Sequence, residues 1–360
     1  MANVFDSSRE HLILKDERFL YPDFVPEKLP FRDKEVSELV FCLKPASEGK
    51  KPTNAFVFGK PGTGKTVTAR FVLQELEEFS DRVKCLYINC FQSNSRHAII
   101  YKASNFFGHA VPERGLGSDE IFLRFVSVLR TKKLTPIIVF DEAEQLLRSE
   151  DMKKLLYDFS RLSEQHKVFC GMIFVSNDEF FLANVDERVR SSLQASTIAF
   201  EPYAPPELKE ILKERAKYAF FDDVLDDEVI PLCAAHAAKN GGDARIAIDV
   251  LLKGARLAEK ENSKKVSVKH LRAAFAQEKP VKFEIKTTLS EQEQLILAFL
   301  ADKEVESGEV YSALKKKFAE RTLRSAFAEL EQKKLIVARE IRKGRGVTRM
   351  LSKPPRAPSG

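Results

Sequence analysis

The stretch Gly59-Lys60-Pro61-Gly62-Thr63-Gly64-Lys65-Thr66 fits the phosphate-binding pattern G-x-x-x-x-G-K-[ST]. The apolar run "AFVF" predicts a strand leading into it, and residues 66–79 predict a helix leading out. Glycines let backbone N–H groups approach phosphate oxygens, and the positive end of the helix favours an anion. Lys65 is expected to reach the β- and γ-phosphates, and Thr66 to offer its hydroxyl to Mg²⁺. The sequence therefore predicts a site for ATP or ADP formed by Gly62, Thr63, Gly64, Lys65 and Thr66.

Alternating apolar and helical runs extend outward from this loop. Strand candidates are "AFVFG", "VKCLYINC", "PIIVFDE", "GMIFVSN" and "STIAFEP", a pattern typical of a parallel sheet covered by helices. After Pro205 four helical stretches follow, and a polar linker at 278–288 leads to three short helices and a hairpin. We predict an α/β domain at 1–201, a helical lid domain at 202–280 and a C-terminal domain at 281–360.

Composition is that of a globular protein, with 44% hydrophobic and 31% charged residues in 360. No apolar run approaches the roughly 20 residues of a membrane span, and the start lacks the pattern of a secretion signal. The five cysteines are odd in number and contain no CxxC pair, which argues against a zinc site or a disulfide framework. We therefore expect a cytoplasmic protein that does not act at a membrane.

Positive charge is concentrated at the C-terminal end. Residues 281–360 contain 17 Lys and Arg against 11 Asp and Glu, an excess of 6 that equals the net charge of the whole chain, +6. Residues 1–280 are therefore balanced. This asymmetry predicts an anionic partner for the C-terminal part, the alternative being a frayed basic tail.

Acidic and amide side chains follow two of the predicted strands. Asp141 and Glu142 end "PIIVFDE", at the edge where ligands bind in open α/β sheets. Asp141 is expected to hold the magnesium shell, and Glu142 to polarise an attacking water. Asn177 ends "GMIFVSN" and is expected to lie beside Asp141, where it can orient water or a γ-phosphate oxygen. As a simple turn former, it would have no such role.

Arg245 stands in the first turn of a predicted helix, in "NGGDARIAID", where the helix dipole disfavours a cation. A helical domain that follows the last strand can fold over the nucleotide as a lid. Arg245 would then face the γ-phosphate, whose charge offsets the unfavourable position. The alternative is a surface salt bridge with Asp243 or Asp249.

Together these motifs resemble the AAA+ ATPases, with Asn177 as sensor 1 and Arg245 as sensor 2. More closely, the chain is similar to the archaeal replication initiators related to the origin recognition complex and its licensing partner. Five further segments carry this resemblance in the family's order: "EKLPFRDKEV", "YINC", "VSNDEFFLANVDERVRSSL", "FEPYAPPELKEILKERAKYAF" and "GGDARIAIDVLLKGARLAE". It implies an AAA+ P-loop domain with a parallel sheet, an α-helical lid domain and a C-terminal winged-helix domain.

The resemblance also implies further nucleotide contacts. The base and ribose would lie between the segment before the loop and the lid. The matching residues are Val25, Pro26 and Arg32 on one side, and Tyr203 and Arg215 on the other.

An arginine finger for a neighbouring copy is implied as well. Arg188 and Arg190 in "DERVRSSL" match the finger box. The chain departs from the family pattern at Ser192, where related proteins carry a later arginine, so the identity of the finger stays open.

In this family the C-terminal winged helix docks on DNA. The third helix, "ERTLRSAFAELEQKK", would bury Leu323, Phe327 and Leu330. The opposite face and the hairpin would contact double-stranded origin DNA. The implied DNA contacts are Arg321, Arg324, Arg342, Lys343, Arg345 and Arg349.

A second DNA contact is implied in the segment after the second strand. Arg96, His97 and Lys102 are its candidate residues, the alternative being an ordinary helix and loop.

The family further implies ATP-switched origin binding with slow ATP hydrolysis, recruitment of an MCM-type replicative helicase, and contacts with other initiator copies on DNA. Two alternatives remain: a clamp-loader-like or transposition-related AAA+ protein, and a signalling ATPase with a winged helix. The "FEPY" segment and the C-terminal module disfavour the first. The GGDAR signature and the lack of room for sensor repeats disfavour the second.

Overall fold

The computed structural model describes residues 12–108, 112, 115–277, 290–300, 305–315, 317–332, 335–343 and 346–352. Its tertiary contacts divide the chain into two units, 1–278 and 279–360. Each unit is described by itself.

A parallel sheet forms the centre of the first unit. Within the described residues it has five strands in the order β2-β3-β4-β1-β5. The third strand is buried along its whole length, as expected where helices cover both faces. All five predicted strands are confirmed: β1 (Ala55–Gly59), β2 (Val83–Asn89), β3 (Thr135–Asp141), β4 (Gly171–Ser176) and β5 (Ser196–Phe200).

Helices cover both faces of this sheet, because successive strand residues point to opposite sides. Phe56 packs into one apolar layer and Val57 into the other. The helices are α1 (Asp33–Ser47), α2 (Lys65–Phe79), α3 (Arg96–Phe106), α4 (Ser118–Lys132), α5 (Glu150–Ser160), α6 (Leu162–His166), α7 (Phe181–Asn184) and α8 (Glu187–Leu193). A 3₁₀ helix at Ala143–Leu147 follows β3.

Helix α3 is an ordinary layer helix. Its Ile99 and Ile100 are fully buried in the core. Arg96 is buried too, and its Nη2 lies 2.6 Å from Oδ2 of Asp158 and 2.6 Å from Oδ1 of Asp119. A buried guanidinium that pairs with two carboxylates is not available to phosphates, so the structure contradicts Arg96 as a candidate DNA contact and supports the ordinary helix.

The lid follows β5 and confirms the four predicted helices. They pack around an apolar core that contains Leu208, Leu212, Cys233 and Leu251. The helices are α9 (Pro205–Ala219), α10 (Val229–Lys239), α11 (Ala244–Lys260) and α12 (Val268–Gln277).

Residues 13–24, which we call the strap, pack on the lid and include a 3₁₀ helix at Glu17–Leu20. Ile13 and Leu20 are buried in the lid core. Leu14 forms an antiparallel bridge with Phe220. The predicted domain boundaries stay predictions, and the packing adds a segment from the start of the chain to the lid.

The second unit has the element order of a winged helix. The three predicted helices are α13 (Glu291–Leu300), α14 (Ser307–Leu314) and α15 (Glu320–Gln332). The strands are β6 (Val305–Glu306), β7 (Val337–Lys343) and β8 (Gly346–Ser352), in the antiparallel order β6-β8-β7. Leu323, Phe327 and Leu330 lie in its core, as predicted. The predicted linker at 278–288 lies outside the described residues.

Across the described ranges, the structure contains no helix with the length and apolar character that a membrane crossing requires.

Candidate functional site

The phosphate loop joins β1 to α2 and folds around the amine of Lys65. Its Nζ donates to the carbonyl oxygens of Gly59 and Lys60, each at 2.8 Å, and to Oδ1 of Asn177 at 2.9 Å. Thr63 is fully buried, and its Oγ1 donates to the Lys60 carbonyl at 2.9 Å. Internal hydrogen bonds therefore contribute to the shape of the loop.

Two glycines of the loop are required by their backbone and by the lid. Gly62 has φ +72° and Gly64 has φ +94°, in the left-handed region. A Cβ at Gly62 would stand 1.7 Å from Oδ1 of Asp243, and a Cβ at Gly64 would stand 2.6 Å from Oη of Tyr203. The Ala244 N–H also donates to the Gly62 carbonyl at 3.2 Å. The beginning of α11 is thus docked on the loop.

Burial dominates the electrostatics of Lys65. Burial lowers the pKa of the amine, the charge of Asp141 opposes this shift and that of Arg245 adds to it, so that the pKa is about 8. An anion in the loop would favour the charged amine.

Asp141 lies at the end of β3 and accepts three hydrogen bonds. Its Oδ2 accepts from Oγ1 of Thr66 at 2.9 Å and from Oη of Tyr87 at 2.5 Å, and its Oδ1 accepts from the Glu142 N–H at 2.9 Å. A hydroxyl and a carboxylate side by side are oxygen ligands of the kind that Mg²⁺ prefers beside nucleotide phosphates. The donor set therefore fits the predicted metal.

Glu142 follows in the left-handed conformation, with φ 54°. Its Oε1 lies 3.4 Å from Nδ2 of Asn89, and the Asn89 carbonyl oxygen Oδ1 is held by the N–H groups of Phe91 and Gln92. A second acid, Glu144, accepts from Oγ of Ser176 at 2.5 Å. Glu142 is thus presented at the strand end beside a fixed amide.

Asn177 follows the end of β4, which pairs with β3 so that Asp141 lies opposite Val175, and Asn177 and Asp141 line the same cleft. Its contact with Lys65 joins the end of β4 to the phosphate loop. The position suits a side chain that senses the terminal phosphate.

Arg245 shows features of both predicted alternatives. Its Nε and Nη2 lie 3.3 Å from the two carboxylate oxygens of Asp243, which also caps α11. The side chain is 55% exposed and lines the same cleft as Lys65. Arg245 therefore pairs with Asp243 and also lines the cleft that contains the phosphate loop.

A cleft of about 740 Å³ lies between the loop, the strap and the lid, a volume suited to a small ligand. Its polar lining includes Lys65, Thr66, Asp141, Glu142 and Asn177. Its apolar lining includes Phe24, Val25, Pro26, Tyr218 and Ile248. A nucleotide needs both kinds of group, polar ones for its phosphates and apolar ones for its base.

Three residues that the resemblance assigns to the nucleotide occupy different positions. Tyr203 and Arg215 line the cleft, whereas Arg32 is not among its lining residues. Arg215 is buried, which lowers its pKa to about 10, and its Nη1 donates to the Phe19 carbonyl at 2.8 Å. Arg32 lies behind the loop, where its Nε donates to the Thr63 carbonyl at 3.0 Å.

The two finger candidates lie on the surface. Arg188 and Arg190 are exposed on α8. Arg188 contacts Asp186 at 3.4 Å. Both are accessible to a neighbouring molecule.

In the second unit, the candidate DNA contacts on α15 are exposed. Arg321 and Arg324 lie opposite the buried face of the helix, and Arg324 pairs with Glu320. Arg349 on β8 contacts Glu331 at 3.8 Å. Arg342 and Lys343 belong to β7, with side chains outside the described set, and Arg345 lies outside the described residues.

Sequence reasoning missed Tyr87 and Asn89 as members of the site. Both stand in "YINC" at the end of β2, the strand next to β3. Polar residues at the end of an otherwise apolar strand were the available signal.

Two family models match the first unit. A model described as "AAA domain" matches residues 49–181, and one described as "Cdc6 AAA+ ATPase-type lid domain" matches residues 209–276. The first contains the phosphate loop and Asp141, and the second contains Arg245. The AAA+ fold with its nucleotide-binding loop is thus recognised by sequence as well as by topology.

Relatives match nearly the whole chain. The ORC1-type DNA replication protein 1 of Sulfurisphaera tokodaii is 34% identical, covering 95% of this chain and 90% of the relative. The ORC1-type DNA replication protein of Thermococcus kodakarensis is 35% identical, covering 92% and 86%. A solved structure, that of the Aeropyrum pernix ORC1 protein in complex with DNA, superposes with a TM-score of 0.71 at 32% identity, covering 96% and 94%.

Proposed function

Since this chain belongs to the archaeal ORC1/Cdc6 family of DNA replication proteins, we propose that it is an ATP-dependent initiator that binds double-stranded origin DNA and helps to recruit the replicative helicase. The observation that carries the proposal is the docking of α11 on the phosphate loop. Because α11 docks on the loop, a single cleft contains the side chains that would bind the phosphates and the metal, activate the water and contact the γ-phosphate.

Nucleotide binding begins at the loop. The N–H groups of residues 62–66 and the amine of Lys65 would hold the phosphates, and the apolar lining of the cleft would hold the base. Mg²⁺, when bound through Thr66 and Asp141, supplies charge neutralisation for the phosphate oxygens. Val25 and Pro26, which line the cleft beside Phe24, would contact the base.

Hydrolysis and switching would divide among three side chains. Glu142 would orient and polarise the attacking water, and Asn177 would contact the terminal phosphate. Arg245 would exchange its partner Asp243 for the γ-phosphate of ATP. The lid would therefore adopt one position with ATP bound and another with ADP bound. Because ATP hydrolysis would serve as a switch between two states, we expect it to be slow.

DNA binding would reside mainly in the second unit. The solved ORC1 protein of Aeropyrum pernix is in complex with DNA, and the positive excess of this chain lies in residues 281–360. Arg321 and Arg324 would enter the major groove, and the hairpin residues Arg342, Lys343, Arg345 and Arg349 would contact phosphates or the minor groove.

Further copies and the helicase complete the proposal. Arg188 and Arg190, exposed on α8, would reach the nucleotide of a neighbouring initiator copy. The replicative helicase of the MCM type would be the recruited partner. Because the proposed substrate is chromosomal DNA, the proposed place of action is the cytoplasm.

Footprinting of the full chain on the genome of its own organism, with ATP, with ADP and without nucleotide, tests this function. We expect protection at a small number of sites, with a nucleotide-dependent extent. The Lys65→Ala variant, which removes the amine inside the loop, should lose that nucleotide dependence. Uniform weak binding along the genome, or the same footprint in all three conditions, would refute the proposal and favour a signalling or clamp-loader-like ATPase.

A further inference from the structure

The strap belongs physically to the lid. Oε1 of Glu259, on α11, accepts from the N–H groups of Ile13 and Leu14, each at 3.1 Å. The Lys15 N–H donates to the Ala219 carbonyl at the end of α9, at 2.8 Å. The start of the strap is thus bonded to two lid helices.

Arg215 secures the other end of the strap. Its guanidinium donates to the carbonyl oxygens of Phe19, Tyr21 and Phe24 and stacks 5.0 Å from the Phe24 ring centre. A buried cation that bonds to three carbonyls of one segment fixes that segment to its own helix. Any movement of α9 therefore carries the strap with it.

Because the strap is part of the lid, the chain passes between the lid and the sheet domain twice within residues 12–277. It first passes from the strap through residues 25–32 into α1. It then passes from β5 through residues 201–204 into α9. These two connections are the covalent hinge of the lid.

The guanidinium of Arg32 lies where the two connections meet. Its Nη2 donates to the Glu201 carbonyl at 2.7 Å, and its Nε donates to Oη of Tyr203 at 3.1 Å and to the Thr63 carbonyl at 3.0 Å. Its Cζ lies 4.0 Å from the Tyr203 ring centre, and the residue is 4% exposed. Arg32 belongs to the first connection, and its side chain forms hydrogen bonds with the second connection and with the phosphate loop.

Tyr203 extends this link to the loop. Its Oη would lie 2.6 Å from a Cβ at Gly64, and its carbonyl 2.7 Å from a Cβ at Gly242, just before α11. The charge of Arg32 is balanced by Glu35 at 3.1 Å. Within this cluster, Tyr203 lines the cleft and Arg32 does not.

We propose that Arg32 is a positioning residue that fixes both lid connections to the phosphate loop, so that the loop holds its phosphate-binding shape only while the lid is in place. It acts without contact to the nucleotide. A lysine cannot replace it, because one ammonium cannot serve acceptors on Thr63, Glu201 and Tyr203 in the geometry that a planar guanidinium allows. The inference rests on nucleotide binding at this cleft, the proposed function.

The first test measures ATP and ADP affinity of the full chain carrying Arg32→Ala or Arg32→Lys. We expect both variants to weaken ATP and ADP by the same factor, roughly tenfold or more, since a buried hydrogen-bonding cluster is lost. Methylguanidinium in solution should restore affinity to Arg32→Ala, and methylammonium should not. Arg124→Ala, which removes an exposed arginine paired with Glu120 on α4, is the matched control and should bind as the parent does.

The second test needs no nucleotide and so separates this inference from the proposed function. Hydrogen exchange of the nucleotide-free chain should become faster in Arg32→Lys at residues 62–66 and at the amides of Glu201, Tyr203 and Ala204 together, with the strands of the sheet unchanged. Loss of ATP affinity alone, with ADP affinity at the parental level, would overturn the proposal and make Arg32 a γ-phosphate ligand. Parental affinity in Arg32→Lys, or unchanged exchange at residues 62–66, would overturn it as well. A parent chain that binds no nucleotide but shows the coupled exchange would refute the proposed function alone.

Discussion

The hydroxyl of Tyr87 donates a 2.5 Å hydrogen bond to Oδ2 of Asp141, the same oxygen that accepts from Thr66. Tyr87 is fixed in turn by the guanidinium of Arg70, 4.3 Å from its ring centre. The carboxylate at the proposed metal site is thus oriented by a residue on the neighbouring strand.

Replacing Tyr87 should weaken nucleotide binding only when Mg²⁺ is bound, because Tyr87 contacts the carboxylate of the proposed metal site. In Tyr87→Phe we expect ATP affinity to fall by about three- to tenfold in Mg²⁺, in line with the loss of one hydrogen bond to a charged group, and to stay at the parental level in EDTA. Titration of ATP under both conditions measures this, with Tyr157→Phe on α5 as the control. An equal loss in EDTA would show that Tyr87 supports the loop rather than the metal site.

The lowered pKa of Lys65, about 8, predicts a pH dependence of binding. Below this pH the amine is already charged in the nucleotide-free protein, and bound phosphates favour the charged form. Affinity should therefore be independent of this group at pH 7 and should fall as the pH rises through 8 and above, with uptake of a proton on binding. Calorimetry at pH 7 and pH 9 in buffers of different ionisation enthalpy detects that proton. If no proton is taken up at pH 9, Lys65 does not have the lowered pKa that this prediction requires.

Glu142→Gln separates binding from hydrolysis. The amide keeps the size of the side chain but cannot polarise water, so we expect nucleotide affinity to be retained and hydrolysis to fall by about 10²-fold or more. Single-turnover hydrolysis of bound ATP is the measurement. Hydrolysis at the parental rate would remove Glu142 from the catalytic role and direct attention to Glu144.

Arg245→Ala should abolish discrimination between the two nucleotides. Only ATP offers the γ-phosphate, so we expect ATP affinity to fall by about 10- to 100-fold, as for a hydrogen bond to a charged group, with ADP affinity nearly unchanged. Arg256→Ala, on the same helix but paired with Glu17 of the strap, serves as the control for α11. Equal changes for ATP and ADP would restrict Arg245 to its salt bridge with Asp243.

DNA binding by the full chain should depend strongly on salt. Arg349→Ala should reduce the slope of log K against log salt by about one if the residue contacts one phosphate, with little effect on sequence preference. Arg324→Ala should instead relax sequence preference at a cost of about 1–3 kcal/mol if it contacts a base edge. An unchanged slope in Arg349→Ala, together with unchanged sequence preference in Arg324→Ala, would place the DNA interface away from α15 and the hairpin.

Local patterns predicted the parts of the fold that local physics determines. The five strands, the four lid helices and the loop between β1 and α2 follow from apolar runs, periodicity and glycine positions. The two-residue strand β6 was missed, because a segment so short carries no pattern of its own. Its pairing with β8 depends on the tertiary fold alone.

Residues whose roles depend on distant segments were harder to assign. Arg32 was predicted to contact nucleotide, yet its hydrogen-bond partners come from Thr63, Glu201 and Tyr203, which no spacing in the sequence brings together. Arg96 was a candidate DNA contact, with an ordinary helix as the alternative, because its partners Asp119 and Asp158 are remote in sequence and the ion pairs could not be foreseen. The burial of a charged side chain cannot be predicted from the sequence when its partners come from distant segments.

The strap has a consequence for the order in which this protein folds. Ile13 is synthesised before the sheet domain, whereas its partner Glu259 is 246 residues further along the chain, near the end of the first unit. The sheet domain, residues 33–200, is complete before any lid helix exists, and closing so long a loop is slow relative to local folding. During synthesis the strap therefore has no lid helix to pack on until the lid has been made. The cleft between them is then the last part of this unit to take its final form.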